Sequence, residues 1–233
     1  MNWEPVIKKH EGVLVVRDDY IPGGSKRRFV DRLMVGASEV VYASPVYGGA
    51  QIAIAHAAFE LGIKATIFCA KRQVPHPRTL EAYKAGAKIV QVPTGYLSNV
   101  KAKAQAYCNM TGATMLPFGL NDPTAIDAIA NAARGVQETI GKIDQVWCVG
   151  GSGVLCRGLQ QGLEAKAFHV VQVGRELKAE DVGRAKVWVH PLDFAKDAKI
   201  KPPFPSCSNY DAKAWELIKT QASGKILFWN VMA

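Results

Sequence analysis

The sequence predicts an α/β fold made of two parallel-sheet subdomains. Three observations predict it. Short β-branched runs are nearly all apolar, the pattern of strands buried on both faces. Helix-like segments lie between them and stop at glycines. No long linker divides the chain, so strands alternating with helices make βαβ units. A second subdomain must then be an excursion from the first sheet and back. This reading gives a small subdomain at residues 36–115 and a large one at residues 1–35 plus 116–233.

In chain order, residues 12–17 (GVLVVR) and 39–43 (EVVYA) predict the first two strands. Residues 51–61, rich in Ala and Ile, predict a helix that stops at Gly62. The strand at 64–69 (KATIFC) follows, then a helix at 77–85 that stops at Gly86, and a strand at 88–92. Residues 98–110 form a helix ended by Gly112, and 113–117 a strand. Asn121-Asp122-Pro123 is a helix-start signature, and that helix runs to Ile140 before Gly141. Strands at 144–149 and 168–173 flank a helix at 154–164; a strand at 186–190, a helix at 211–222 and a strand at 226–230 complete the chain. Residues 201–205 (KPPFP) read as a rigid extended loop.

Of the 233 residues, 48% are hydrophobic and 21% charged, as in an ordinary globular protein. No apolar run reaches the roughly 18 residues of a membrane span, so no membrane partner is expected. Met1-Asn2-Trp3-Glu4-Pro5 has neither a basic nor an apolar region of the secretory type. Five cysteines without a CxxC pair suggest reduced, buried thiols in a cytoplasmic protein. The net charge of +9 favours anionic ligands, from a phosphorylated cofactor to nucleic acid. The basic residues are also spread widely enough for an evenly basic surface. His10, His76, His169 and His190 lack metal-ligand spacing and His56 sits in an apolar helix, so no metal is expected.

Four segments carry chemistry. The first runs Arg17-Asp18-Asp19-Tyr20-Ile21-Pro22-Gly23-Gly24-Ser25-Lys26-Arg27-Arg28. A strand ends, a glycine turn follows and a lysine opens the next helix. A helix N-terminus disfavours the charged lysine, and desolvation would add to this and make the amine nucleophilic. On the residues alone, a solvated basic loop is the better reading. The second segment, Ser44-Pro45-Val46-Tyr47-Gly48-Gly49-Ala50-Gln51, offers backbone N–H groups at a helix start, suited to a carboxylate. In the third, an apolar strand leads through Gly150-Gly151-Ser152-Gly153-Val154-Leu155 into a helix, which is either a phosphate cradle or a tight turn. The fourth is Tyr210-Asp211-Ala212-Lys213-Ala214-Trp215, where Asp211 also reads as a helix N-cap.

In order and spacing, over about residues 12–230, these segments resemble the D-cysteine desulfhydrase and 1-aminocyclopropane-1-carboxylate deaminase branch of the pyridoxal-5'-phosphate (PLP) enzymes of the tryptophan-synthase-β-like class, fold type II. Arg17, Asp18, Asp19, Gly23, Gly24, Lys26 and Arg28 match the branch's RDD…GGNK-x-R segment, with Ser25 in place of Asn. The loop around Tyr47 resembles its SSGN substrate loop, with Gly48 and Gly49 where the family has Ser and Asn. Val154-Leu155 replaces the Gly-Thr of the family's phosphate loop. The closing TGG is absent.

The resemblance implies PLP in the cleft between the subdomains, held as a Schiff base by Lys26. It implies Lys26 and Tyr210 as catalytic residues, with the phosphate on Gly150, Gly151, Ser152, Gly153, Val154 and Leu155. Asp211 would face the pyridine nitrogen, and Ser44, Tyr47, Gly48, Gly49, Ala50 and Gln51 would bind substrate. The function implied is a lyase, deaminase or decarboxylase acting at Cα of a small amino acid, in a homodimer. The altered loop and the charge motivate an alternative: an amino-acid group attached to a nucleobase, as in phage-type DNA hypermodification. A non-catalytic PLP-binding module is a third, which the retained Lys26 argues against.

Overall fold

The computed structural model describes residues 3–93 and 96–233. Met1 and Asn2, the start of the segment read above for a secretory signal, lie outside the described residues. In chain order the strands are β1 (Ile7–His10), β2 (Val13–Arg17), β3 (Glu39–Ala43), β4 (Lys64–Ala70), β5 (Lys88–Val92), β6 (Thr114–Met115), β7 (Ile143–Gly150), β8 (Ala165–Gln172), β9 (Lys186–Val189) and β10 (Ile226–Asn230). The α-helices are α1 (Ala50–Leu61), α2 (Pro77–Lys84), α3 (Leu97–Thr111), α4 (Pro123–Ile140), α5 (Val154–Gly162), α6 (Ala179–Val182) and α7 (Asp211–Gln221).

The chain forms two compact units. One is Phe29–Asn121; the other is residues 3–28 together with Asp122–Ala233. The sequence reading drew these boundaries at 35/36 and 115/116. The smaller unit holds a parallel four-stranded sheet in the order β5-β4-β3-β6. The larger unit holds a six-stranded sheet in the order β1-β2-β10-β7-β8-β9, parallel except for β1. The α/β class with parallel sheets is therefore what the chain adopts.

The termini of the helices follow their sequence signals. Asp122 caps α4 by accepting from the Thr124 N–H at 2.8 Å, with Pro123 in the first helical position. Gly62 ends α1 in the left-handed region. On one face of the larger sheet Trp147, Trp215, Phe204 and Phe228 pack into the core with Val15, Val149 and Val171. The inner strands β3, β4, β7 and β10 are buried along most of their length, on both faces, as inner strands of parallel sheets are.

Three expectations are corrected. β1 was not foreseen: its four residues, IKKH, are charged and only partly buried, as suits a short edge strand. The strand expected at 113–117 shrinks to two residues, because Pro117 cannot donate to a ladder. The helix expected to open at Lys26 is a five-residue 3₁₀ turn, Gly24–Arg28.

All five cysteines are free and buried. Among the described residues no helix is long and apolar enough to cross a membrane.

Candidate active site

In the larger unit β10 lies between β2 and β7, so the C-terminal ends of these three parallel strands are adjacent. Ligands of open α/β sheets bind at such ends. Three of the four segments singled out by sequence emerge there or pack there.

The segment after β2 is built around Asp18, which is 1% exposed. Its carboxylate accepts from the Ser25 hydroxyl at 2.6 Å, Arg28 Nε at 2.9 Å and the Trp229 indole at 2.8 Å. Arg28 Nη2 completes a bidentate ion pair. Asp19 accepts from Arg17 at 2.8 and 2.7 Å and from Asn230 Nδ2 at 2.7 Å. The Arg-Asp-Asp sequence is therefore a clamp: it fastens the turn that carries Lys26 to β10. Ser25, which stands where the resembling branch has Asn, has its hydroxyl buried on Asp18. Lys26 itself is half-buried between the buried Ser25 and Arg27. It sits inside the 3₁₀ turn, so it does not stand at the N-terminus of an α-helix and no helix dipole of that kind acts on its amine.

Gly24 in this turn has φ +75, and a Cβ there would lie 2.3 Å from the Val231 carbonyl oxygen. The same carbonyl accepts from the Ser25 N–H at 3.0 Å. The next residue, Met232, donates its N–H to Asp211 Oδ2 at 3.3 Å. The residues after β10 thus bridge the Lys26 turn to Asp211.

Asp211 is fully buried and is the first residue of α7. The cap position is Tyr210, and it makes no capping side-chain bond, so the N-cap alternative for Asp211 is not what forms. Tyr210 directs its hydroxyl at the end of β7, 3.4 Å from the Val149 carbonyl oxygen, which accepts from it. Burial, with the nearby Asp211 charge, pushes the Tyr210 phenol far above its ordinary range, against a hydrogen bond from the Gly151 N–H. The phenol therefore keeps its proton at neutral pH.

After β7, residues 150–153 turn into α5. Two of the three glycines are demanded by packing. A Cβ on Gly153, at φ +79, would lie 2.0 Å from the Asp181 carbonyl oxygen, and one on Gly150 would lie 2.6 Å from Val170 Cγ2. Gly151 is different: its bare face opens toward the Tyr210 hydroxyl, 3.4 Å from where a Cβ would stand. α5 is amphipathic and nine residues long, and its first N–H groups have no intrahelical acceptor. The half-buried Ser152 hydroxyl beside them makes no hydrogen bond among the described residues. Val154 is buried and Leu155 half-buried. Turn, phenol, buried carboxylate and lysine segment thus come together from positions far apart in sequence.

The fourth segment lies in the smaller unit, between β3 and α1. Ser44 is buried and its N–H donates to Phe68 O at 2.8 Å. Its hydroxyl and the Gln51 amide are spent on the loop itself: Ser44 Oγ donates to Pro45 O, and Gln51 Nε2 donates to Val46 O and Gly48 O at 3.2 and 3.0 Å. Gln51 is fully buried, and its Oε1 has no partner. Gly49 and Ala50 open α1 without a side-chain cap, so the N–H groups there remain available. Half-buried Tyr47 meets the His76 ring edge-on at 4.9 Å, and the Arg72 guanidinium lies 5.5 Å from its ring centre.

Sequence reasoning missed Trp229, Asn230 and the Val231–Met232 backbone as parts of the Lys26 clamp, and Arg72 beside Tyr47. Only the Arg-Asp-Asp match hinted at the clamp; a lone exposed arginine carries no signal.

A model of the pyridoxal-phosphate dependent enzyme family matches residues 6–221. No curated protein sequence matches the chain. Among solved structures the chain is similar to an ACC deaminase homologue, with 19% identity, a TM-score of 0.76, and 99% of this chain and 89% of that one covered. It is also similar to the processed form of threonine deaminase isoform 2 from Solanum lycopersicum (15%, TM-score 0.71, 99% and 79% covered). A third is O-acetylserine dependent cystathionine beta-synthase from Helicobacter pylori (15%, TM-score 0.70, 99% and 93% covered). These likenesses carry the fold.

Proposed function

Since the chain belongs to the family of pyridoxal-phosphate dependent enzymes, we propose that it acts at Cα of an amino-acid substrate as a lyase of the deaminase or decarboxylase type, with Lys26 holding the cofactor. One observation carries this reading: the C-terminal ends of β2, β10 and β7 gather the Lys26 turn, Asp211, Tyr210 and the Gly151 turn at one edge of a sheet.

These residues fit the cofactor's parts. The first amides of α5 and the Ser152 hydroxyl suit its phosphate, from residues 150–155. The half-buried Lys26 amine suits its aldehyde, and the buried Asp211 carboxylate suits its ring nitrogen. When bound, PLP takes up the electron pair left at Cα when a bond there breaks. Asp211 holds the proton on the ring nitrogen, because an opposite charge at close range favours the protonated form. Lys26 Nζ moves the proton at Cα. Tyr210 Oη, which keeps its own proton, donates to an oxygen or a leaving group and does not serve as a base. The N–H groups at Gly49 and Ala50 orient the substrate's carboxylate; Gly48, whose N–H donates to the Pro45 carbonyl, shapes the loop with Ser44 and Gln51, and Tyr47 lies beside it.

A second reading, an amino-acid group carried on a nucleobase, is favoured by the basic surroundings of Tyr47. The test is a panel of free amino acids and amino-acid-modified nucleotides, analysed by mass spectrometry. Loss of ammonia or carbon dioxide from one class is expected. No turnover of either class by cofactor-loaded protein would sink the enzyme reading.

A further inference from the structure

The smaller unit, residues 29–121, contains nine lysines and arginines against four acids: Asp31, Glu39, Glu60 and Glu81. Their placement is lopsided. Asp31 precedes β3, Glu39 is its first residue, and Glu60 is in the last turn of α1, so these three lie toward the N-terminal ends of the strands. Glu81 lies in the second turn of α2. The segments that leave the strands' C-terminal ends, residues 44–49, 71–76, 93–96 and 116–121, contain no acid at all. That rim instead carries Lys71, Arg72, Arg78 and, one turn into α3, Lys101. Among the described residues Lys71, Arg72 and Lys101 make no ion pair with a carboxylate.

Aromatic side chains are interleaved with these cations. Arg72 lies 5.5 Å from the centre of the Tyr47 ring, and Lys101 Nζ lies 4.5 Å from the centre of the Phe118 ring. Tyr96, on the same rim, is 86% exposed. Beside Phe118 a hollow of about 380 Å³ is lined by Ala43, Lys101, Gln105, Met115 and Leu116, within the size range of ligand sites. Cations without carboxylate partners attract a phosphate backbone, and flat rings between them offer stacking faces for bases.

We infer that this rim binds a single strand of nucleic acid through its phosphodiester backbone, with unstacked bases against Tyr47, Tyr96 and Phe118. The inference rests on the second reading above for one point only, that the bound strand carries the amino-acid group to be processed. A small phosphorylated amino acid needs one or two cations; an acid-free rim of four loops, with Lys101 of α3 beside them, fits a longer polyanion.

The test is fluorescence anisotropy of a labelled single-stranded DNA oligonucleotide with cofactor-loaded protein over a salt series. Affinity should fall steeply and linearly in log salt. Arg72→Glu combined with Lys101→Glu should weaken binding at least about tenfold and flatten that slope, with cofactor absorbance unchanged. The milder pair Lys71→Ala and Arg72→Ala should move both quantities the same way. Wild-type affinity in the charge-reversed protein would overturn the proposal, as would O-phosphoserine displacing the strand at equal phosphate concentration. Cofactor absorbance, read on the same samples, reports on the enzyme assignment separately from strand binding.

Discussion

The indole N–H of Trp229 lies 2.8 Å from the Asp18 carboxylate, so one buried acid fastens the last strand to the turn that carries Lys26. Removing the acid leaves Arg28 buried without its partner. Asp18→Ala should therefore cost about 3–5 kcal/mol, the usual penalty for breaking a buried pair. Trp229→Phe removes one donor of four and should cost far less, beyond any packing change about 1 kcal/mol. Urea denaturation of the two variants checks the ranking. Equal losses would mean that Asp18 is not the centre of the clamp.

Lys26 is the expected attachment point. The purified protein should be yellow, and borohydride should fix a pyridoxyl group on the peptide containing Lys26. Peptide mapping decides it. A pyridoxyl group on another lysine would remove the basis of the whole assignment, whatever the fold.

The turn after β7 separates fold from binding. Gly153→Ala should destabilise the protein, since its Cβ would lie 2.0 Å from backbone at a positive φ. Gly151→Val should spare the fold more, because the first added carbon stands 3.4 Å from the Tyr210 hydroxyl. It should instead weaken cofactor affinity by crowding the phosphate. Ser152→Ala should weaken it modestly, since the backbone donors remain. Cofactor titration followed by absorbance measures all three; unchanged affinity in Gly151→Val and Ser152→Ala would put the phosphate elsewhere.

Asp211→Asn keeps an oxygen to accept from the Met232 N–H but removes the charge. Stability should change little while turnover falls. Asp211→Ala should in addition lose about 1–3 kcal/mol, because that N–H is left buried and unpaired. Near-normal turnover by Asp211→Asn would leave Asp211 a purely structural residue.

Two phenols, buried Tyr42 and half-buried Tyr210, set an alkaline limit. Burial raises Tyr42 to about 12, and burial with the Asp211 charge raises Tyr210 further still, from an ordinary value of 10.0. A group whose folded pKa is raised contributes stability in full below its unfolded value. Above pH 10.0 the unfolded chain releases these protons before the folded one does, so stability falls as pH rises from there. The urea midpoint should be insensitive to Tyr42→Phe in its slope below that pH, and the alkaline decline should shrink in that variant.

The sequence by itself determined the α/β class, six of the helices and most of the strands. Those signals are local: a strand apolar on both faces, a proline after Asp122, a glycine at the end of α1, α2, α3 and α4. The cofactor class was legible too, because the order and spacing of Lys26, Gly150–Leu155 and Tyr210-Asp211 survive in one dimension. What tertiary structure alone decided is how these pieces meet. Asp18 and Trp229 are 211 positions apart, and no periodicity links them. They meet because β10, the last strand, inserts between β2 and β7. That pairing also lays Val231 and Met232 against Gly24 and Asp211, and it makes Asp211 an acceptor for backbone rather than a cap. Strand order and the hydrogen-bond partners of buried acids follow from which surfaces bury each other, a property of the whole packed chain that local sequence does not encode.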